Sequence, residues 1–245
     1  MALLFLLFAC RAQAAIVRVH SDGVASGGVF SLTIASNVLN TTAANLLVVG
    51  TRQSGNVDVP IITNVAGDTW NEVGCKDITT HGDGLTCLFY AMNINHSAVD
   101  VITATWADPQ QFRVIFTIEY SGLKTSGALD AAPAPVDSGG LGVLTLATGA
   151  FSTVQASEVL VGMVGTASLI ATYTAGPESG GYSIVQSSSQ NDAAIEDNIV
   201  AVIQVGVTAS ISWNDSATAS FIVASFKAAG GGGGGPGPRH RVTQE

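Results

Sequence analysis

Charge is what this sequence has least of. Asp, Glu, Lys and Arg together make up 11% of its 245 residues, against about 25% in ordinary globular proteins. Disorder does not follow, because a disordered chain combines high charge with low hydrophobicity and here hydrophobic residues reach 47%. Basic residues are scarcest: 9 Lys and Arg stand against 18 Asp and Glu, a net charge of −9. That excludes a basic nucleic-acid footprint, and an anionic membrane repels such a chain on average. Cysteine is nearly missing, with 3 residues, and no cluster of soft ligands surrounds them to make a thiolate metal site. A sustained 3.6-residue apolar period is also missing, although Ala193 to Val200 could form a helical turn.

The missing charge is replaced by Ser, Thr, Asn and Gly. Short runs rich in Val, Ile, Thr and aromatics alternate with turn residues, which is the pattern of strands. Strands are expected over 15–20, 28–35, 45–53, 58–65, 69–75, 86–94, 98–106, 111–121, 141–150, 157–165, 168–174, 181–187, 197–206, 208–214 and 218–227. Alternation is clearest in Phe112 to Tyr120, where Phe112, Val114, Phe116, Ile118 and Tyr120 share one face and Glu119 points to the other, toward solvent.

The chain resembles itself at a separation of about 110 residues. Leu46-Leu47-Val48-Val49-Gly50 matches Val159-Leu160-Val161-Gly162, and strands ending in Trp106 and Trp213 match each other. Glu119-Tyr120-Ser121-Gly122 matches Lys227-Ala228-Ala229-Gly230. The fold class expected is all-β: a jelly-roll-like β-sandwich of two similar halves, about 15–130 and 139–229, each giving strands to both sheets. Two tandem immunoglobulin-like domains are the alternative.

Both ends differ from this body. Leu3 to Phe8 is an apolar run followed by Ala12-Gln13-Ala14, the form of a signal peptide cleaved after residue 14. Leu7-Phe8-Ala9-Cys10 offers a lipoprotein alternative that the bulky Phe8 fits poorly. At the other end, residues 230–245 form a Gly/Pro-rich flexible tail. Removing the leader leaves Cys75 and Cys87, an even pair read as a disulfide across a hairpin in a secreted, extracellular or cell-surface protein.

The order of these pieces resembles a family of secreted bacterial β-sandwich modules known mainly from genomic and metagenomic sequences. The likeness spans roughly residues 15–229. It is carried by Asn45-Leu46-Leu47-Val48-Val49, Val65-Ala66-Gly67-Asp68-Thr69-Trp70, Leu88-Phe89-Tyr90-Ala91-Met92-Asn93-Ile94, Glu119-Tyr120-Ser121-Gly122 with Leu129-Asp130, and Ala224-Ser225-Phe226-Lys227. The resemblance implies a cell-surface or matrix protein and carries over no functional residue. The cysteine pair is not part of the family pattern.

No catalytic motif stands out. His20, His81, His96 and His240 have no metal-ligand spacing, and no G-x-S-x-G elbow occurs. A glycosidase would need two carboxyl groups facing across a sugar, and Glu72, Asp77, Asp83, Glu119, Glu158, Glu178, Glu196 and Asp197 are available. Calcium takes several loop oxygens. Asp77 and Asp83 flank a Gly-rich turn, while Asp192 and Asp197 cluster with Asn191, Glu196 and Asn198. Trp106 and Trp213 are expected to pack at strand ends, which leaves Trp70, with Tyr173 and Tyr182, as a carbohydrate platform.

The leading expectation is a non-catalytic structural or adhesive surface module that self-assembles into extracellular fibres by pairing sheet edges, with copies of itself or cell-surface components as partners. A carbohydrate-binding module on a larger extracellular protein is the second reading, and a jelly-roll hydrolase the third. No nucleic acid partner, membrane span or cofactor other than calcium is expected.

Overall fold

The computed structural model describes residues 15–55, 58–78, 84–168, 170, 172–178, 181–190 and 192–230. The expected signal peptide, and the tail beyond Gly230, lie outside the described residues. The first half contributes β1 (Val17–Ala25), β2 (Ser31–Ala35), β3 (Leu46–Ser54), β4 (Ile61–Asn64), β5 (Asn71–Asp77), β6 (Leu85–Met92) and β7 (Ile102–Ser121). The second contributes β8 (Val136–Asp137), β9 (Val143–Ala147), β10 (Glu158–Thr166), β11 (Tyr173–Ala175), β12 (Ser183–Ser188), β13 (Ala193–Val200), β14 (Ser210–Ala217) and β15 (Ala219–Lys227).

The two halves repeat one topology. In the first, a large antiparallel sheet runs β1-β7-β3-β6-β5, and β2 and β4 flank the beginning of β7 in a small sheet. In the second, the large sheet runs β8-β15-β10-β13-β12 and the small one β9-β14-β11. Each unit is jelly-roll-like, with β7 doing in one strand what β14 and β15 do in two. The strand separations expected at 98–106 and 111–121 are therefore one continuous element.

The sandwich differs from the expected one in how the halves combine. Each half keeps its own two sheets, and the two large sheets stack against each other, giving four layers. The reason lies in β3, β10 and β15, which are buried on both faces. A strand apolar on both sides needs cover on both sides. One face of β3 places Leu47 and Val49 on the small sheet of its own unit, with Trp106, Ile102 and Phe89. The other places Leu46 and Val48 against Val159, Met163, Ile222 and Phe226 of the second unit. A third core, around Leu160, Phe221, Ile211 and Trp213, fills the second unit. The two units share the central core, the one around Leu46 and Val159.

Polar contacts also cross the central seam. Ser220 Oγ donates to Thr86 Oγ1 at 2.8 Å, Arg52 donates to the Thr166 carbonyl at 2.8 Å, and Lys76 pairs with Asp137 at 2.6 Å. The chain enters and leaves at one place. Gly122, at φ +78°, lies so close to the Ala15 carbonyl that a Cβ there would collide with it, and its own carbonyl accepts from Ala229 N–H at 2.8 Å.

Edges of the large sheets are interrupted. Register shifts fall between Arg18 and His20 in β1, Glu72 and Gly74 in β5, and Ile184 and Gln186 in β12, while β8 has two residues. Bulges and short strands discourage edge-to-edge pairing.

Cys75 and Cys87 face each other across β5 and β6 and are joined by a disulfide. Closing a loop of 12 residues' separation stabilises by about 3 kcal/mol in the chain-entropy model. Cys75→Ser with Cys87→Ser is therefore expected to lower Tm by about 6–12 °C. A melting temperature unchanged by the double substitution would show that the link constrains nothing.

Candidate functional site

The structure separates the residues proposed for sugar stacking. Trp70 is half-buried in the first unit, its indole Nε1 donating to Asn64 Oδ1 at 3.4 Å. Tyr173 and Tyr182 are buried in the core of the second unit. Tyr173 packs on Trp213 with ring centroids 6.5 Å apart and shares a hydrogen bond with Thr166. Buried rings offer no face to a ligand, so the three do not form a platform. Trp106 and Trp213 are buried, as their matching places in the repeat imply.

The calcium residues also fail to converge. Asp83 and Asn191 lie outside the described residues, and Asp77 sits at the end of β5 in the first unit. Asp192 accepts from the Ile170 N–H at 3.2 Å. Its neighbours were expected in a loop, with a strand only over 197–206, but the strand is Ala193–Val200. Alternation then sends Asp197 into the central seam and Glu196 into the core of the second unit. The apolar residues that mimic a strand, Val202, Ile203 and Val205, are exposed beyond it. Among the described residues no group of three or more His, Cys, Asp or Glu side chains is placed to hold a metal.

Asp197 instead ties the two units together. It accepts from Tyr120 Oη at 2.7 Å and from Arg18 at 3.0 Å. Burial pushes its carboxyl up, against the pull of these two partners. Glu119, expected to face solvent, is fully buried. The face opposite Phe116 and Tyr120 lines the interior of the first unit, because both faces of the large sheet are covered. Glu119 Oε1 lies 3.5 Å from His20 Nδ1, and burial raises its pKa. In the second unit, burial and the adjacent Asp130 push Glu158 up to about 8. Burial acts upward on Asp130 too, but the Val154 N–H and the Lys227 ammonium, 3.2 Å away, hold it below its usual value. Glu196 is raised by burial to about 9.

The exposed counterpart to these buried groups is one end of the first unit. Phe30 is 67% exposed and Phe112 41% exposed, with Val29 and Leu32 beside them. Phe30 lines a cleft of about 350 Å3 with Ser54, Gly55, Asp108, Pro109, Gln110 and Gln111. Phe112 has φ +44°, a conformation a bulky side chain adopts only under constraint. The turn to positive φ also removes Phe112 from the alternating face that sequence assigns it. Its neighbours hold it there: Phe112 N–H donates to Gly27 carbonyl at 3.4 Å, and Gln111 Nε2 donates to Gly28 carbonyl at 2.7 Å. The residue identities alone gave no sign of this cluster, because loops and a positive-φ residue inside the continuous strand β7 bring it together.

No protein-family model matches the chain, and no curated protein matches it. Among solved structures, the type II cohesin dyad from the adaptor ScaA scaffoldin of Acetivibrio cellulolyticus aligns with 83% of this chain and 81% of its own, at 8% identity and a TM-score of 0.17. That likeness is too distant to bear on fold or function. No helix among the described residues is long and apolar enough to cross a membrane.

Proposed function

We propose that the protein is a secreted, non-catalytic surface-attachment module that holds polysaccharide at the Phe30–Phe112 end of its first unit. The observation that carries this is the exposed Phe30 on a polar cleft, with the exposed Phe112 held against the neighbouring Gly27–Gly28 turn. Aromatic faces cover the apolar C–H faces of a sugar ring, while a few polar groups fix its hydroxyls. Asp108, Gln110, Gln111 and Ser54 supply such groups around Phe30. Exposed apolar clusters on folded surfaces mark interaction sites, and backbone strain concentrates where function holds it. The leader, the disulfide and the resemblance to secreted bacterial modules support an extracellular setting. Fibre growth by edge pairing has less support, since the large sheets carry bulges or short strands at their edges.

The test is binding of the mature protein to immobilised cellulose, xylan, chitin and mannan and to a glycan array. Phe30→Ala is expected to weaken binding about tenfold, the equivalent of ~1.4 kcal/mol. Phe112→Gly is expected to weaken it similarly while raising stability by about 1 kcal/mol through relief of strain. No binding to any glycan, or binding untouched by both substitutions, would remove the proposal.

A further inference from the structure

A second constellation lies inside the other unit and plays no part in the surface cleft. Glu196 projects from β13 into the space between the sheets, fully buried. Its Oε2 accepts from the Gly176 N–H at 3.3 Å, and its Oε1 has no hydrogen-bond partner. Glu178 approaches the same glycine from outside. Its Oε1 accepts from Ser210 Oγ at 2.6 Å, and its Oε2 lies where a Cβ on Gly176 would stand, without a partner. Gly176 thus brings Glu196 Oε2 and Glu178 Oε2 to one spot, with Glu196 Oε1 turned toward Gly162. Tyr182 completes the group. It is 7% exposed, its hydroxyl has no partner, and the negative charge of both glutamates bears on it.

Three buried or half-buried oxygens without partners are costly to leave unsatisfied. Two are carboxylate oxygens, and two carboxylates brought together repel each other unless a proton or a cation sits with them. We propose that the Glu178 and Glu196 carboxylates, beside the Tyr182 hydroxyl, form a binding site for a divalent cation of the calcium class. The two carboxylates are hard oxygen ligands of the type calcium takes, and water can complete its six to eight positions. Glu178 is half-buried and gives the route in from solvent. The cation neutralises the Glu178–Glu196 repulsion and holds the loop end at Gly176 to β13. The set differs from the aspartates that the sequence brings forward, and it does not depend on the polysaccharide reading.

The experiment is thermal unfolding of the full mature chain at pH 8, in EDTA and in 10 mM CaCl2, with MgCl2 and an NaCl solution of equal ionic strength as controls. Extracellular calcium modules bind at about 0.1–1 mM, so 10 mM Ca2+ is expected to raise Tm by about 3–10 °C. Mg2+ is expected to give less and NaCl nothing comparable. Glu178→Gln and Glu196→Gln are expected to lose at least half of the calcium shift. Glu196→Gln is expected to be at least as stable as the parent in EDTA, which shows that its lost response is not a lost fold. A parent protein indifferent to Ca2+ but stabilised by acid would mean that a shared proton occupies the site, and the proposal would fall. It would fall equally if both glutamine variants kept the full shift.

Discussion

Phe226→Ala is expected to lower the stability of the whole chain by about 3–5 kcal/mol, with both units still unfolding in one transition. Phe226 belongs to β15 of the second unit, is fully buried, and faces the first unit across the seam. Its ring lies 5.2 Å from that of Tyr90 on β6, tilted by 58°. An aromatic pair of this kind adds about 0.5–1.5 kcal/mol beyond the buried area. The cavity left by an alanine would open between two sheets already fixed by their outer layers, so it could collapse little, and collapse decides where in that range the loss falls. Denaturant unfolding followed by tryptophan fluorescence reads both units, since Trp106 reports on the first and Trp213 on the second. Two separated transitions in the parent protein would show that the central core does not couple them.

The second large effect is on pH. Glu158 and Glu196, raised to about 8 and about 9, stay protonated in the folded state well above the value of 4.5 from which they start. In the unfolded chain they ionise near 4.5. Unfolding therefore releases their protons between these limits, and stability falls as pH rises. The contribution is complete below about pH 4.5 and is lost progressively, for Glu158 by about 8 and for Glu196 by about 9. Each proton gives at most about 1.4 kcal/mol per pH unit. Glu119, Asp192 and Asp197 are raised and act in the same direction, while Asp130 and Asp137 are lowered and oppose it. In EDTA, stability is expected to drop by about 2–4 kcal/mol from pH 5 to pH 7, and Glu196→Gln to flatten the slope by up to one proton. Urea titrations at pH 5, 6, 7 and 8 measure it. Stability rising across that interval would contradict the burial of these carboxyls.

The strands were legible because apolar and β-branched residues mark them locally, and β3, β6, β10 and β15 fall where those runs fall. The repeat was legible as well, in Trp106 against Trp213 and in the glycine that follows each closing strand. What the pattern of one strand does not contain is which layer covers its second face. Leu46-Leu47-Val48-Val49 reads as a buried strand, and nothing in it distinguishes one neighbouring sheet from two. The same ambiguity misplaced Glu119. Ala193-Ala194-Ile195-Glu196 hid a strand for the opposite reason: small residues suit a tightly packed interior but have weak strand preference. Val202, Ile203 and Val205 have the preference without the burial. The cleft beside Phe30 and the Glu178–Glu196 pair were out of reach, since each joins residues distant in sequence through a loop whose path sequence does not fix.

The meeting of Ala15, Gly122 and Ala229 has a mechanical meaning. A pull applied along the chain would enter and leave the folded body at the same corner. It would peel β1 and β15 from their sheets near that corner without drawing the two units apart across the seam. The surface at Phe30 and Phe112, proposed above as the binding end, would keep its shape under such a load until those first strands gave way.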